Sequence, residues 1–129
     1  MVDPNTESLV DVPFQINRLA HIIHEFNQKW WFDLYTGEKL ERNDGELIAL
    51  MHSELSEGLE GVRKNKMDDH CPQHPNVTVE MADCIIRILD YCAGKGLNVG
   101  QALVDKCAYN LIRADHSHEH RKAEGGKKF

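Results

Sequence analysis

The sequence predicts an all-α fold of four helices, and three observations carry that expectation. Apolar residues recur at three- and four-residue intervals in four separate stretches. Capping and turn-forming residues stand between those stretches. Two of the stretches also carry acidic pairs at i,i+3 spacing, Glu54 with Glu57 and Glu80 with Asp83, which puts both members of a pair on one helical face. With 129 residues, 41% hydrophobic and 28% charged, the chain is long enough to bury one core. It reads as a single domain, with an extended arm over 1–13, a helical core over 14–113 and a flexible polar tail over 114–129.

The arm contains Pro4 and Pro13 and little periodicity. The first helix is expected from Phe14 to about Phe32, on the pattern Ile16, Leu19, Ile22, Ile23, Phe26 and Trp30. Trp30, Trp31 and Phe32 follow one another at its end, and helical neighbours point about 100° apart, so the three cannot share one core. Either Trp30 packs inside while Trp31 makes an oligomer contact, or one indole stacks on the base of a ligand.

After a loop from Asp33 to Asn43, Asp44 is expected to cap a second helix from Gly45 to about Lys64. Leu50, Met51, Leu55, Leu59 and Val62 mark its apolar face, with the acids at or near the edge, and Gly58 and Gly61 allow another backbone to come close. His52 points away from Glu54 and reads as a surface or rim residue. Residues 65–76 hold His70, Cys71 and His74, but these spacings match no standard zinc pattern, and the segment reads as a mobile connection.

Thr78 is expected to cap the third helix, which runs to about Tyr91 with Met81, Ile85, Ile88 and Leu89 on its apolar face and Gly94 and Gly96 behind it. Asn98 caps the fourth, from Val99 to about Arg113, with Ala102, Leu103, Cys107 and Leu111 along its inner side. Lys106, Asn110 and Arg113 stand four and three apart and share a stripe, either an ordinary solvated one or a contact for a polyphosphate and its sugar. In the tail His116, His118 and His120 alternate, which suits a stray transition metal, and Lys127 and Lys128 follow a glycine pair and could fold over an anion or stay disordered.

A net charge of −6 disfavours a general nucleic-acid binder. The absence of a long apolar run or of a signal-peptide pattern makes a cytoplasmic, membrane-free location the expectation. Cys71, Cys84, Cys92 and Cys107 form no CxxC pair and read as reduced.

If the second and third helices run antiparallel, their acid pairs converge into a pocket of four carboxylates. Like charges held together repel unless a cation neutralises them. Ligation by carboxylates alone suits Mg²⁺ before Mn²⁺ or Ca²⁺, and not zinc. The competing reading places the acids on a solvated face.

The E-x-x-E at Glu54 and Glu57, a gap of 22 residues, the E-x-x-D at Glu80 and Asp83, and the K-x-x-x-N-x-x-R at Lys106, Asn110 and Arg113 together resemble the MazG-like all-α nucleoside triphosphate pyrophosphohydrolases. The similarity covers roughly Ile16 to Arg113, and the ending GGKKF resembles that of small stand-alone phage and bacterial members. The resemblance implies a four-helix-bundle-like domain that assembles as a homodimer or homotetramer. It also implies Mg²⁺-dependent hydrolysis of a nucleoside triphosphate, deoxynucleotides favoured, to the monophosphate and pyrophosphate, with Mn²⁺ as a substitute cation.

By similarity Glu54, Glu57, Glu80 and Asp83 ligate the metal, and Lys106, Asn110 and Arg113 contact phosphates or sugar. Glu54 or Glu57 would take the proton from the attacking water, and Trp30 or Trp31 would meet the base. Other readings are a phosphoribosyl-ATP pyrophosphohydrolase-like enzyme and a non-catalytic helical interaction module. A carboxylate-bridged di-iron bundle would need Glu-x-x-His on two helices, and no such pair occurs. No P-loop is present to support a kinase or motor.

Overall fold

The computed structural model describes residues 9–113 and residue 125. The expectations for His116, His118, His120, Lys127 and Lys128, and for the first eight residues of the arm, lie outside the described residues. Within them the chain is all-α: α1 (Val12–Phe26), a 3₁₀ turn (Gln28–Trp30), α2 (Asp44–Lys64), α3 (Asn76–Gly94) and α4 (Val99–Ile112). No helix among the described residues is long and apolar enough to cross a membrane. The chain forms two compact units, one from Asn17 to Leu97 and one made of the segments before and after it, with the boundary inside α1.

Within the unit 17–97, α1 stops at Phe26, short of the expected Phe32. The Asn27 N–H is shared between the carbonyls of Ile23 and His24, both at 3.1 Å, the bifurcated bond of a helix tightening into a 3₁₀ turn. The three successive aromatics therefore leave the α-helix. Trp31, 2% exposed, is the indole packed inside, and Trp30 is 55% exposed, the reverse of the inside-outside order expected from the periodicity. Gly94 makes that burial fit, because a Cβ there would lie 2.5 Å from Cη2 of the Trp31 ring.

α2 is capped by Asn43, one residue before the expected Asp44. The Asn43 side chain accepts from the Glu46 N–H at 3.0 Å. Asp44 and Glu46 then fall in the first turn, where negative charge suits the helix dipole. Asn65 closes the helix in the left-handed conformation. α3 begins at Asn76, directly after Pro75 and ahead of the expected Thr78.

The contacts that pair α2 with α3 run in opposite directions, from Met51 with Cys84, through Gly58 with Met81, to Gly61 with Asn76, so the two helices form an antiparallel hairpin. The face of α2 inside the fold is Glu54, Gly58 and Gly61, and the facing residues of α3 include Asn76, Glu80 and Cys84. The expected apolar face of α2 is not the buried one: Leu55, Leu59 and Val62 are exposed. The glycines explain the difference. A Cβ at Gly58 would sit 2.9 Å from Met81 Cε, and one at Gly61 would overlap the Asn76 side chain, so α3 comes close only along this bare strip.

The connection between α2 and α3 is not the mobile segment expected. Asp68 N–H bonds to the His74 carbonyl at 2.9 Å and Asn76 N–H to the Lys66 carbonyl at 3.0 Å, which closes the loop as a small ladder. All four cysteines are free, as expected.

In the other unit, Asn98 caps α4 as expected, accepting from the Gln101 N–H at 3.1 Å. The helix ends at Ile112, and Arg113 is extended, with ψ of 138°. Its φ of −70° and its N–H bond to the Tyr109 carbonyl at 3.1 Å keep Arg113 itself in the helical register of Lys106 and Asn110. Ala102, Leu103, Cys107 and Leu111, expected on an inner side, are exposed, and the buried residue of α4 is Gly100.

Candidate metal centre

Glu54 and Glu57 occupy successive turns of α2, and the antiparallel pairing brings Glu80 of α3 to them. One carboxylate oxygen from each of the three lies within 4.8 Å of the others. Glu54 is 6% exposed and Glu80 9% exposed, so two of the three carboxylates sit in the helix interface itself and not on a solvated face.

The charges are unevenly satisfied. Arg87 Nε lies 2.7 Å from Glu54 Oε1. Burial pushes the Glu54 carboxyl up, but the hydrogen bond from Arg87, the one shared with Glu80 and the guanidinium charge outweigh it and hold Glu54 below the ordinary carboxylate range. Glu80 has no such cation. Burial, then the neighbouring Glu54 carboxylate, push it up to about 7 against the one lowering influence of Asn76. Asn76 Nδ2 reaches Glu80 Oε1 at 3.1 Å, whereas Glu80 Oε2 is buried with no hydrogen-bond partner. A buried carboxylate oxygen left unpaired is costly, and an oxygen-loving cation is the group whose charge and coordination would satisfy it.

Asp83, the fourth expected carboxylate, stands outside this group of three. It lines a cleft of about 490 Å³ together with Glu54, and burial followed by the Glu54 charge raises its carboxyl above the ordinary range. The same cleft is bordered by Trp30, Asn27, Arg42, Arg87, Asp90 and Tyr91, with Leu47, Leu50 and Ile86 as apolar wall. The cleft thus joins an acidic end, two guanidinium groups and an exposed indole.

Of the two expected indoles only Trp30 offers its ring to this cleft. Trp31 is enclosed. Its Nε1 donates to both oxygens of Asp90 at 3.0 Å, His24 packs edge-on at 5.1 Å, and the Arg42 guanidinium lies 5.6 Å from the ring centre. A stacking role for Trp31 is therefore corrected to one in the core. Lys106, Asn110 and Arg113 belong to the other unit, where the Lys106 ammonium stands 4.6 Å from the Tyr109 ring.

Arg87, Asp90 and Asn76 were not among the expected site residues. A signal for two of them was present, because Glu80, Asp83, Arg87 and Asp90 are spaced three, four and three and so share one face of α3. Asn76 also stands four residues before Glu80, but the helix was expected to begin only at Thr78, which left Asn76 off that face. Compared with protein-family models, with curated proteins and with solved structures, the chain matches none of them.

Proposed function

We propose that this chain is a Mg²⁺-dependent nucleoside triphosphate pyrophosphohydrolase of the MazG-like kind, acting in the cytoplasm and releasing a monophosphate and pyrophosphate, with deoxynucleotides favoured. The observation that carries the reading is the convergence of Glu54, Glu57 and Glu80 within 4.8 Å, with a buried and unpaired oxygen on Glu80, beside a cleft large enough for a nucleotide. The donor set is all carboxylate, which fits Mg²⁺, with Mn²⁺ as a substitute. Bound there, Mg²⁺ would neutralise the polyphosphate and the departing pyrophosphate and lower the pKa of a water.

The chain's own residues divide the remaining tasks. Glu54 has one oxygen held by Arg87, whereas Glu57 is exposed, so Glu57 is the group that takes the proton as water attacks the α-phosphorus and the bond to the β-phosphate oxygen breaks. Arg87 and Arg42, on the wall of the cleft, offer planar donors to phosphate oxygens. Trp30 supplies a face on which a base stacks. Asp83 joins Glu54 at the acidic end as a further ligand. Exposed apolar residues on the hairpin, Leu55, Leu59, Val62 and Ile85, support assembly into a homodimer or homotetramer.

Pyrophosphate release from the common dNTPs and NTPs, measured with Mg²⁺ and with EDTA, tests the proposal. Metal-dependent release with the monophosphate as co-product is expected. Silence on that panel and on damaged nucleotides, with turnover of phosphoribosyl-ATP, would move the assignment to that substrate. Silence on all of them would leave a non-catalytic interaction module.

A further inference from the structure

Behind the carboxylate cluster lies an internal chain of polar groups that the proposed chemistry does not yet use. Asn76 and Asp68 are each 5% exposed. Asn76 Nδ2 donates to Asp68 Oδ1 at 3.0 Å and to Glu80 Oε1 at 3.1 Å, so both hydrogens of its amide are spent on carboxylates. Asp68 Oδ2 accepts the backbone N–H groups of His70 and Cys71, each at 2.9 Å. Turning the amide over would set its oxygen against two carboxylates, so charge fixes which end faces Glu80. Space fixes the side chain's location, because Asn76 fills the place that a Cβ on Gly61 would take.

We infer that Asp68 and Asn76 are positioning residues: Asp68 holds the Asn76 amide, the amide pins one oxygen of Glu80, and the cation affinity of the cluster depends on that chain. The inference rests on the cluster being a cation site. A free glutamate must give up side-chain rotation when it ligates. Here the rotation has been given up beforehand, by a relay that begins at two backbone N–H groups of the α2–α3 connection. Outer partners of this kind are worth about 10- to 100-fold in metal affinity.

Asp68 also organises its own loop, and one substitution separates the two roles. Asp68→Asn keeps an acceptor oxygen for the His70 and Cys71 N–H groups. Its amide nitrogen then faces Asn76, which must turn its oxygen towards the new donor and withdraw its N–H from Glu80. The loop is kept and the relay is broken.

The experiment is Mn²⁺ binding to the full chain, followed by the electron paramagnetic resonance signal of free Mn²⁺ at pH 8 and well below the melting temperature. The variants are Glu80→Gln, Asn76→Ala, Asp68→Asn and the Asp68→Asn/Asn76→Ala double. Asp68→Asn and Asn76→Ala are each expected to weaken binding about 10-fold or more. The double is expected to be no worse than the weaker-binding single, because groups acting in series are not additive. Circular dichroism checks the fold, and if Asn76→Ala does not fold, Asp68→Asn decides alone. Wild-type affinity in folded Asp68→Asn, or a double equal to the product of the singles, overturns the inference. If the wild type binds no Mn²⁺, or Glu80→Gln binds as the wild type does, the cation-site reading falls and this inference with it. Loss of binding in Glu80→Gln with full binding in Asp68→Asn removes only the inference.

Discussion

Glu80→Gln in the metal-free protein should be more stable than the wild type at pH 8 and no more stable at pH 5. Glu80 has a folded-state pKa of about 7 against an ordinary 4.5. Between those values the folded chain holds a proton that the unfolded chain has released. The stability linked to that proton is complete below about pH 4.5 and is lost as the pH rises through about 7. The full difference corresponds to about 3 kcal/mol, or on the order of 10 °C in melting temperature for a chain of this size. Asp83, also raised, adds in the same direction. Glu54, lowered by its partners, acts in the opposite sense, but its stability is lost only as the pH falls below the ordinary carboxylate range.

Thermal melts in EDTA from pH 5 to 8 would show the wild type losing stability more steeply than Glu80→Gln, which keeps the contribution of Asp83 but has no proton to lose at residue 80. Mg²⁺ at pH 8 should restore the wild type, by about 2.7 kcal/mol when the ion stands at 100 times its dissociation constant, and should do little for the variant. A wild-type curve flat across this range, or the same slope in both proteins, would refute the argument that an unpaired buried carboxylate sits at Glu80.

Glu57→Gln is expected to leave the melting temperature within a few degrees of the wild type while pyrophosphate release falls by at least about 100-fold, which a steady-state assay reads directly. Trp30→Ala should keep the fold and raise KM for nucleotide. Trp31→Ala, by contrast, should cost about 3–5 kcal/mol in denaturant melts because it empties the packed interior. Gly94→Ala should also destabilise, by about 1–3 kcal/mol in the same melts, since the rigid Trp31 ring cannot yield to the added methyl.

The helix count and the acid pairs were legible because both are local. A three-four spacing of Leu, Ile and Val, and of Glu with Glu, survives whatever the helix packs against. The choice of buried face was not local. Counting apolar residues pointed to Leu55, Leu59 and Val62, whereas the close approach of α3 selected the strip of Glu54, Gly58 and Gly61. Gly58 and Gly61 were recognised as permitting close approach, but that they mark the contact face follows only when Met81 and Asn76 are opposite them. The order of the two tryptophans failed for a similar reason. A periodic pattern assumes the helix continues, and the α1 ladder gives way at Asn27. Arg87 went unread because its partner, Glu54, lies on another helix, although its spacing from Asp83 was visible.

The two indoles give the molecule two built-in reporters. Trp31 is dry, with its N–H fixed on the Asp90 carboxylate, so its fluorescence should emit at short wavelength and respond chiefly to unfolding. Trp30 is wet and borders the cleft, so its emission should lie further to the red and change when a base covers it. As the chain contains just these two tryptophans, binding and unfolding can be followed in one cuvette as separate colours of the same spectrum.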